Sequence, residues 1–177
     1  DVDTITALGQ KLRYGRLSRL VTRHRGPGRA YWRYTPEAGA VSVQTADGKT
    51  RVAWLLDLSS PPLGRHPELE AAFGCTAQSA APCRVLSGDD IDALAAAGEE
   101  LPGDTVGHGT HVSSIAAGNG GQGKKYVGVA PEATLVVARV TRGNASESVT
   151  DADLLNAVRF VFDRADSLDM PAALNVS

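Results

Sequence analysis

The sequence predicts an α/β fold in which a parallel sheet carries helices on both faces. Three short apolar runs, at residues 51–58, 134–140 and 172–176, have the length and composition of buried strands. Segments with helical spacing of apolar residues separate these runs, so the order is strand, helix, strand, helix, strand. Right-handed crossovers would place the three strands parallel in one sheet.

The first predicted strand ends in an acidic residue. Residues 52–56 are all apolar, as expected for a strand covered on both faces, and Asp57 follows directly. Open α/β sheets place their ligands beyond the carboxyl ends of their strands. Asp57 is therefore a candidate functional residue rather than an ordinary loop aspartate.

A histidine opens the helix predicted between the first two strands. His108 lies between two glycines, which allow a tight turn and leave the imidazole uncovered. The positive end of the helix dipole disfavours imidazolium, which suits a neutral base at this place. Gly118 is expected to end the helix and His111 to pack within it, and the predicted apolar face comprises Val112, Ile115 and Ala116.

Three further helices are predicted from caps and periodicity. Ser87 precedes a helix with acidic residues in its first turn, and Asp151 is expected to cap a longer helix that ends before the third strand. Near the start of the chain, Thr4 is predicted to cap a short helix that places Ile5, Leu8 and Leu12 on one face.

Composition favours one globular domain and argues against a membrane or a nucleic acid as partner. The chain has 177 residues, of which 42% are hydrophobic, and it contains no apolar run long enough to cross a membrane. Residues 1–33 carry a net charge of +6, whereas the remainder carries −8. We expect this basic N-terminal part to be a solvated arm or to contact an acidic surface rather than to bind nucleic acid.

The chain's two cysteines are close together in a stretch that reads as a loop. We expect Cys75 and Cys83 to form a disulfide, which would point to an extracellular or periplasmic location. Two cysteines do not make a zinc site, and His66 has no second histidine at a suitable spacing. No metal site is predicted.

Three motifs resemble those of the subtilisin-like serine proteases. They are His66-Pro67-Glu68-Leu69, His108-Gly109-Thr110-His111-Val112 and Gly128-Val129-Ala130-Pro131. The resemblance implies that His108 is the general base and that Asp57 orients it. Leu58-Ser59 departs from the family's usual residues after the aspartate, and Asp89, Asp90 and Asp104 are acidic competitors for the orienting role.

The same resemblance implies a domain layout and a substrate site. Residues 1–49 would be a basic extension, and residues 50–177 would be the N-terminal half of the catalytic domain, with an insertion at about residues 70–105. The residues expected to bind a peptide substrate are Gly143, Asn144, Ser146 and Ser177. We expect no cofactor. Many family members bind calcium in a loop after the histidine helix, but Lys124 and Lys125 oppose a calcium site there.

The family's nucleophilic serine and oxyanion asparagine have no counterpart in this sequence. Ser113 and Ser114 lie inside the histidine helix, and Ser59 and Ser60 follow the aspartate. We therefore expect a second chain to carry the remainder of the catalytic domain, with a peptide or protein as substrate. The alternative is a non-catalytic binding or regulatory module that keeps the fold.

Overall fold

The computed structural model describes residues 4–9, 43–45, 47–76, 82–99, 101, 108–120, 127–142 and 149–176, the first of these ranges by its backbone alone. In the described residues the strands are β1 (Thr4–Gly9), β2 (Val52–Asp57), β3 (Arg84–Ser87), β4 (Thr134–Arg139) and β5 (Ala172–Val176). The helices are α1 (Pro67–Ala72), α2 (Gly88–Ala96), α3 (His108–Ala117) and α4 (Asp151–Ser167). The three predicted strands are thus confirmed as β2, β4 and β5.

The strands form one sheet in the order β3-β2-β4-β1-β5. The pair β2–β4 is parallel, whereas β2–β3, β1–β4 and β1–β5 are antiparallel. The sheet is therefore mixed, and the prediction of a parallel sheet was wrong. The three predicted strands do run in one direction, and the two opposed strands come from segments that were not predicted to be strands.

One of those segments is β1, where the sequence predicted a helix. Residues 4–9 instead pair with β4 on one side, and residues 5–9 pair with β5 on the other. The segment is too short to be a stable helix by propensity alone, and its Thr and Ile residues suit a strand. Pairing with two strands therefore decides its conformation. The other segment, β3, lies within the predicted insertion and pairs with β2.

Alternate side chains of the central strands belong to two different core clusters. Val136 and Ala138 pack in a cluster with Phe160 and Val161 of α4, whereas Leu135 and Val137 pack in a second cluster that includes Ala117 of α3 and two residues of α2, Ile91 and Leu94. Successive residues of a strand point to opposite faces of the sheet. The two clusters therefore lie on the two sides of β4.

Two helices begin with complete capping boxes. Ser87 and Asp90 exchange side-chain and backbone hydrogen bonds at the start of α2, which confirms the cap predicted there. At the start of α4 the cap is Thr150, bonded reciprocally with Asp153, and not Asp151 as predicted. The hydroxyl of Thr150 accepts from the backbone N–H of Asp153, so the helix starts at Asp151, one residue earlier than a cap at Asp151 would give.

The C-terminal strand is less covered than its apolar sequence predicted. No residue of β5 is buried, and Val176 is 46% exposed. β5 is the last strand in the sheet order, so one of its edges has no neighbour among the described strands. Its position at the edge explains its exposure.

Candidate active site

Asp57 is the last residue of β2 and its side chain is fully buried. Its Oδ1 atom accepts hydrogen bonds from the backbone N–H of Ser59 at 3.0 Å and from the Ser59 hydroxyl at 2.6 Å. Ser59 stands where the sequence departs from the residues usual in the resembling family. It nevertheless fixes one oxygen of the aspartate from the loop that follows.

Two arginines from the neighbouring strands complete the surroundings of this carboxylate. Arg84 of β3 and Arg139 of β4 lie directly opposite Asp57 in the strand register. Arg84 Nε is 3.2 Å from Oδ2, and Arg139 Nη1 is 3.9 Å from Oδ1. A buried carboxylate needs partners of this kind, because an unpaired buried charge is strongly destabilising.

His108 is the first residue of α3, and it is half-buried. In the described residues, the hydrogen bonds and ion pairs of Asp57 involve Ser59, Arg84 and Arg139. Both candidate residues thus stand at the ends of elements of one sheet-and-helix framework: Asp57 ends β2 and His108 begins α3.

The histidine helix packs through small residues. Its buried positions are Gly109, Ser113 and Ala117, which recur every four residues, whereas Ile115 is 48% exposed. The predicted apolar face is therefore correct only in part: Ala116 packs against the core and Val112 is half-buried, but Ile115 is exposed. His111 is exposed rather than packed. A stripe of small side chains lets the helix backbone come close to its neighbours, and periodicity of large apolar residues does not reveal such a stripe.

The C-terminal end of this helix is held by an arginine. Arg51 donates from Nη2 to the carbonyl of Ala117 and from Nη1 to the carbonyl of Ala133 at 2.9 Å. A cation is favourable beside the last carbonyls of a helix. Arg51 thus connects the end of α3 to the residue before β4. The predicted end of α3 before Gly118 is confirmed.

Arg142 connects three segments near the carboxyl ends of β2 and β4. Its Nη1 atom donates to the carbonyls of Leu58 at 3.3 Å and Pro82 at 3.4 Å, and its guanidinium pairs with the buried Asp153. Burial raises the pKa of Asp153, but hydrogen bonds from Arg142 and Thr150 outweigh it and hold the pKa below its usual value.

Asp90, one of the acidic competitors for the role of orienting His108, forms hydrogen bonds with other residues. Asp90 Oδ2 lies 2.6 Å from His66 Nε2 and also accepts from the Ser87 hydroxyl at 2.7 Å. Burial raises the pKa of Asp90, yet the bonds from Ser87 and His66 lower it overall. Asp89 is an exposed residue of the first turn of α2, and Asp104 lies outside the described residues.

Four predicted substrate-binding residues, Gly143, Asn144, Ser146 and Ser177, also lie outside the described part of the chain.

Cys75 and Cys83 are buried and joined in a disulfide. The described ranges contain no group of three or more His, Cys, Asp or Glu side chains able to hold a metal ion. None of the helices within those ranges is long and apolar enough to span a membrane.

Comparison with known proteins decides the family. A sequence model of the Subtilase family matches residues 66–172, which is more than half of the chain. The chain belongs to the subtilase family. The family match includes His108 and begins after Asp57.

Two curated relatives agree with this assignment. The chain is 38% identical over 74 residues to Subtilisin of Bacillus sp. (strain TA39), an alignment that covers 42% of this chain and 17% of that protein. It is 35% identical over 77 residues to Bacillopeptidase F of Bacillus subtilis (strain 168), covering 44% of this chain and 5% of that protein. The aligned regions are thus small parts of these relatives. No solved structure matches the chain.

The partners of Asp57 were not predicted from the sequence. Arg84 and Arg139 are unremarkable charged residues until strand pairing places them opposite Asp57. A clue was present in the sequence, since an ionised residue ending a fully apolar strand requires a compensating charge. That clue does not say which of the chain's 18 basic residues supplies it.

Proposed function

We propose that this chain is the N-terminal half of a subtilisin-like serine endopeptidase domain and supplies two members of an Asp-His-Ser triad. The observation that carries the proposal is the family match over residues 66–172, which includes His108-Gly109-Thr110-His111-Val112. The buried carboxylate at the carboxyl end of β2 supports Asp57 as the second member. The names of the two relatives, Subtilisin and Bacillopeptidase F, agree with peptidase chemistry.

In the proposed reaction, a serine on the remainder of the domain attacks the peptide carbonyl. His108 takes the proton from the serine hydroxyl and returns it to the leaving amine. Asp57 holds the imidazole in the required tautomer and stabilises the imidazolium.

The further parts of the proposal follow from the domain layout. The substrate, a peptide or protein, would be bound through Gly143, Asn144, Ser146 and Ser177, and a second chain would supply the remaining half of the domain. Residues 50–177 would form the catalytic part and residues 1–49 an extension that contributes β1 to the sheet. A disulfide persists in oxidising compartments, which supports an extracellular or periplasmic location.

A fluorophosphonate probe tests the proposal directly. The natively purified protein is treated with the probe, and the labelled polypeptide is identified by mass spectrometry. We expect label on a serine outside residues 1–177, either on a co-purifying chain or on a longer form of this one. Absence of label from every polypeptide would contradict the proposal.

The role of His108 is tested by substitution. His108→Ala should lower kcat by about four orders of magnitude, because the serine then has no base. His111→Ala is the matched control, since His111 is an exposed histidine of the same helix and should leave kcat unchanged. Measured peptidase activity that survives in His108→Ala would refute the assignment.

A second candidate function is a non-catalytic subtilase module that binds or regulates a partner. The observation that favours it is the engagement of the buried Asp57 carboxylate by Ser59, Arg84 and Arg139. In that case the probe labels nothing and His108→Ala changes no activity, although the fold is kept.

A further inference from the structure

The predicted insertion has no role in the proposed mechanism, yet it contributes a strand to the sheet beside the candidate aspartate. β3 begins at Arg84 and pairs with β2 so that Arg84 lies opposite Asp57. The Arg84 side chain is only 11% exposed, and its Nε donates to Asp57 Oδ2 at 3.2 Å. The insertion therefore brings a buried cation to a buried carboxylate.

The two carboxylate oxygens of Asp57 have different sets of partners. Oδ1 is approached by the N–H and hydroxyl of Ser59 and, at 3.9 Å, by Arg139. Among the described residues, Oδ2 is bonded by Arg84 alone. Because Ser59 holds one oxygen and Arg84 the other, removal of Arg84 would leave Oδ2 without its hydrogen bond and weaken the restraint on rotation of the carboxylate about its Cβ–Cγ bond.

The backbone on either side of this contact is also anchored. Cys83 immediately precedes Arg84 and is bonded to Cys75 through the disulfide. Arg142 Nη1 reaches the carbonyl of Leu58, which follows Asp57, and the carbonyl of Pro82, which precedes Cys83. One guanidinium thus joins the two chain segments that carry Asp57 and Arg84.

From these contacts we infer that Arg84 is a positioning residue for Asp57 and that the insertion serves to present it. The catalytic consequence rests on the proposed function: a carboxylate held at Oδ2 stays in the orientation from which it can accept the imidazole N–H of the base. Misplacement of a catalytic group by about 1 Å can cost about a hundredfold in rate.

The kinetic test uses the natively purified protease with whichever chain completes its domain. Arg84→Met should lower kcat by about a hundredfold and leave KM within about twofold, because Asp57 acts on the base and not on substrate binding. Arg84→Lys keeps the charge, and its kcat should be about tenfold higher than that of Arg84→Met. Arg159→Met is the control, since it removes an arginine whose ion pair with Asp163 lies on the surface of α4. Wild-type kcat in Arg84→Met would overturn the inference.

A double-mutant cycle tests the contact without any need for activity. Melting temperatures are measured for the wild type, Arg84→Met, Asp57→Asn and the double variant. Arg84→Met lowers Tm by a certain amount in the wild-type background. If Arg84 acts on Asp57, the same substitution should lower Tm by less than about half of that amount in the Asp57→Asn background. Equal losses in the two backgrounds would overturn the inference.

The two measurements separate failure of the inference from failure of the proposed function. A wild type that neither hydrolyses peptides nor takes the fluorophosphonate label refutes the protease proposal, while the Tm cycle still decides whether Arg84 holds Asp57. Should Arg84→Met fail to fold, Arg84→Lys decides the kinetic arm. A folded Arg84→Lys enzyme with wild-type kcat would then contradict the need for the Nε–Oδ2 bond.

Discussion

A single carboxylate, Asp153, has two structural roles at the start of α4. It closes the capping box with Thr150, and it pairs with Arg142, whose other contacts reach Leu58 and Pro82. The side chain is buried, so loss of its charge would leave the Arg142 guanidinium without its ionic partner. Asp153 therefore stabilises the helix and the loop after β2 together.

Substitution of Asp153 should produce a stability loss that depends on pH. Asp153→Asn should lower the free energy of unfolding by about 1–3 kcal/mol at pH 7, because a charged hydrogen-bonded pair is broken. The pKa of Asp153 is lowered in the folded state, so its stabilisation is present above the unfolded value of about 3.9 and is lost as pH falls through the folded value. Denaturant unfolding at pH 7 and at successively lower pH measures the difference.

The control for this prediction is another aspartate of the same helix. Asp163 forms an exposed i,i+4 pair with Arg159, and such pairs contribute little. Asp163→Asn should change stability by less than about 0.5 kcal/mol at any of these pH values. A difference between wild type and Asp153→Asn that stays constant below pH 4 would contradict the assigned pKa direction.

Residue-level sequence reasoning found Asp57 and His108 as candidates but not their surroundings. The position of Asp57 followed from an apolar strand with an acidic end, and the structure places it at the end of β2. Its contact with Arg84 depends on the register of an antiparallel pair between residues 27 positions apart. Pairing of this kind is fixed by tertiary packing, and no local pattern specifies it.

At the scale of elements, predictions from local sequence patterns were correct where an element's own residues decide its conformation. The capping box of α2 and the apolar runs of β2 and β4 are of this kind. They failed for β1, whose conformation is decided by the strands on either side of it. They described the packed face of α3 only in part, because the small residues that are buried there give no hydrophobic periodicity.

The segment after α3 is held against that helix by an unusually close backbone contact at Gly128. A Cβ added there would lie 2.6 Å from the backbone nitrogen of Gly118, 2.8 Å from the backbone nitrogen of Ala117 and 2.8 Å from the carbonyl oxygen of Ser114. These atoms are all backbone, so neither segment can yield by a side-chain rotation. Gly128 is therefore required by space and not by an unusual backbone angle.

Gly128→Ala should accordingly weaken the packing of α3. The expected loss is about 1–3 kcal/mol in the free energy of unfolding, because the added methyl group forces the two backbones apart. Thermal or denaturant unfolding measures it. Val129→Ala is the neighbouring control: Val129 is 56% exposed, and its loss should change stability by less than about 0.5 kcal/mol. Equal stability of Gly128→Ala and wild type would contradict the contact.

At the scale of the whole molecule, the sheet depends on its N-terminal strand. β4 and β5 run in the same direction, but each pairs with β1 and not with the other. β1 therefore joins β5 to the rest of the sheet. The sequence alone could not predict this arrangement, because β1 and its two partners are more than 120 residues apart in the chain.

Interruption of β1 should therefore release β5 and leave the other end of the sheet intact. Thr6 lies opposite Val137 of β4 and Asn175 of β5, so Thr6→Pro places a residue without an N–H in the centre of a strand paired on both sides. We expect hydrogen–deuterium exchange to show lost protection at residues 172–176 and retained protection at residues 52–57, since β2 pairs with β3 and β4 instead. Thr6→Val, which keeps the N–H and suits a strand, should leave both regions protected. Unchanged protection of residues 172–176 in Thr6→Pro would show that β5 is held by α4 rather than by β1.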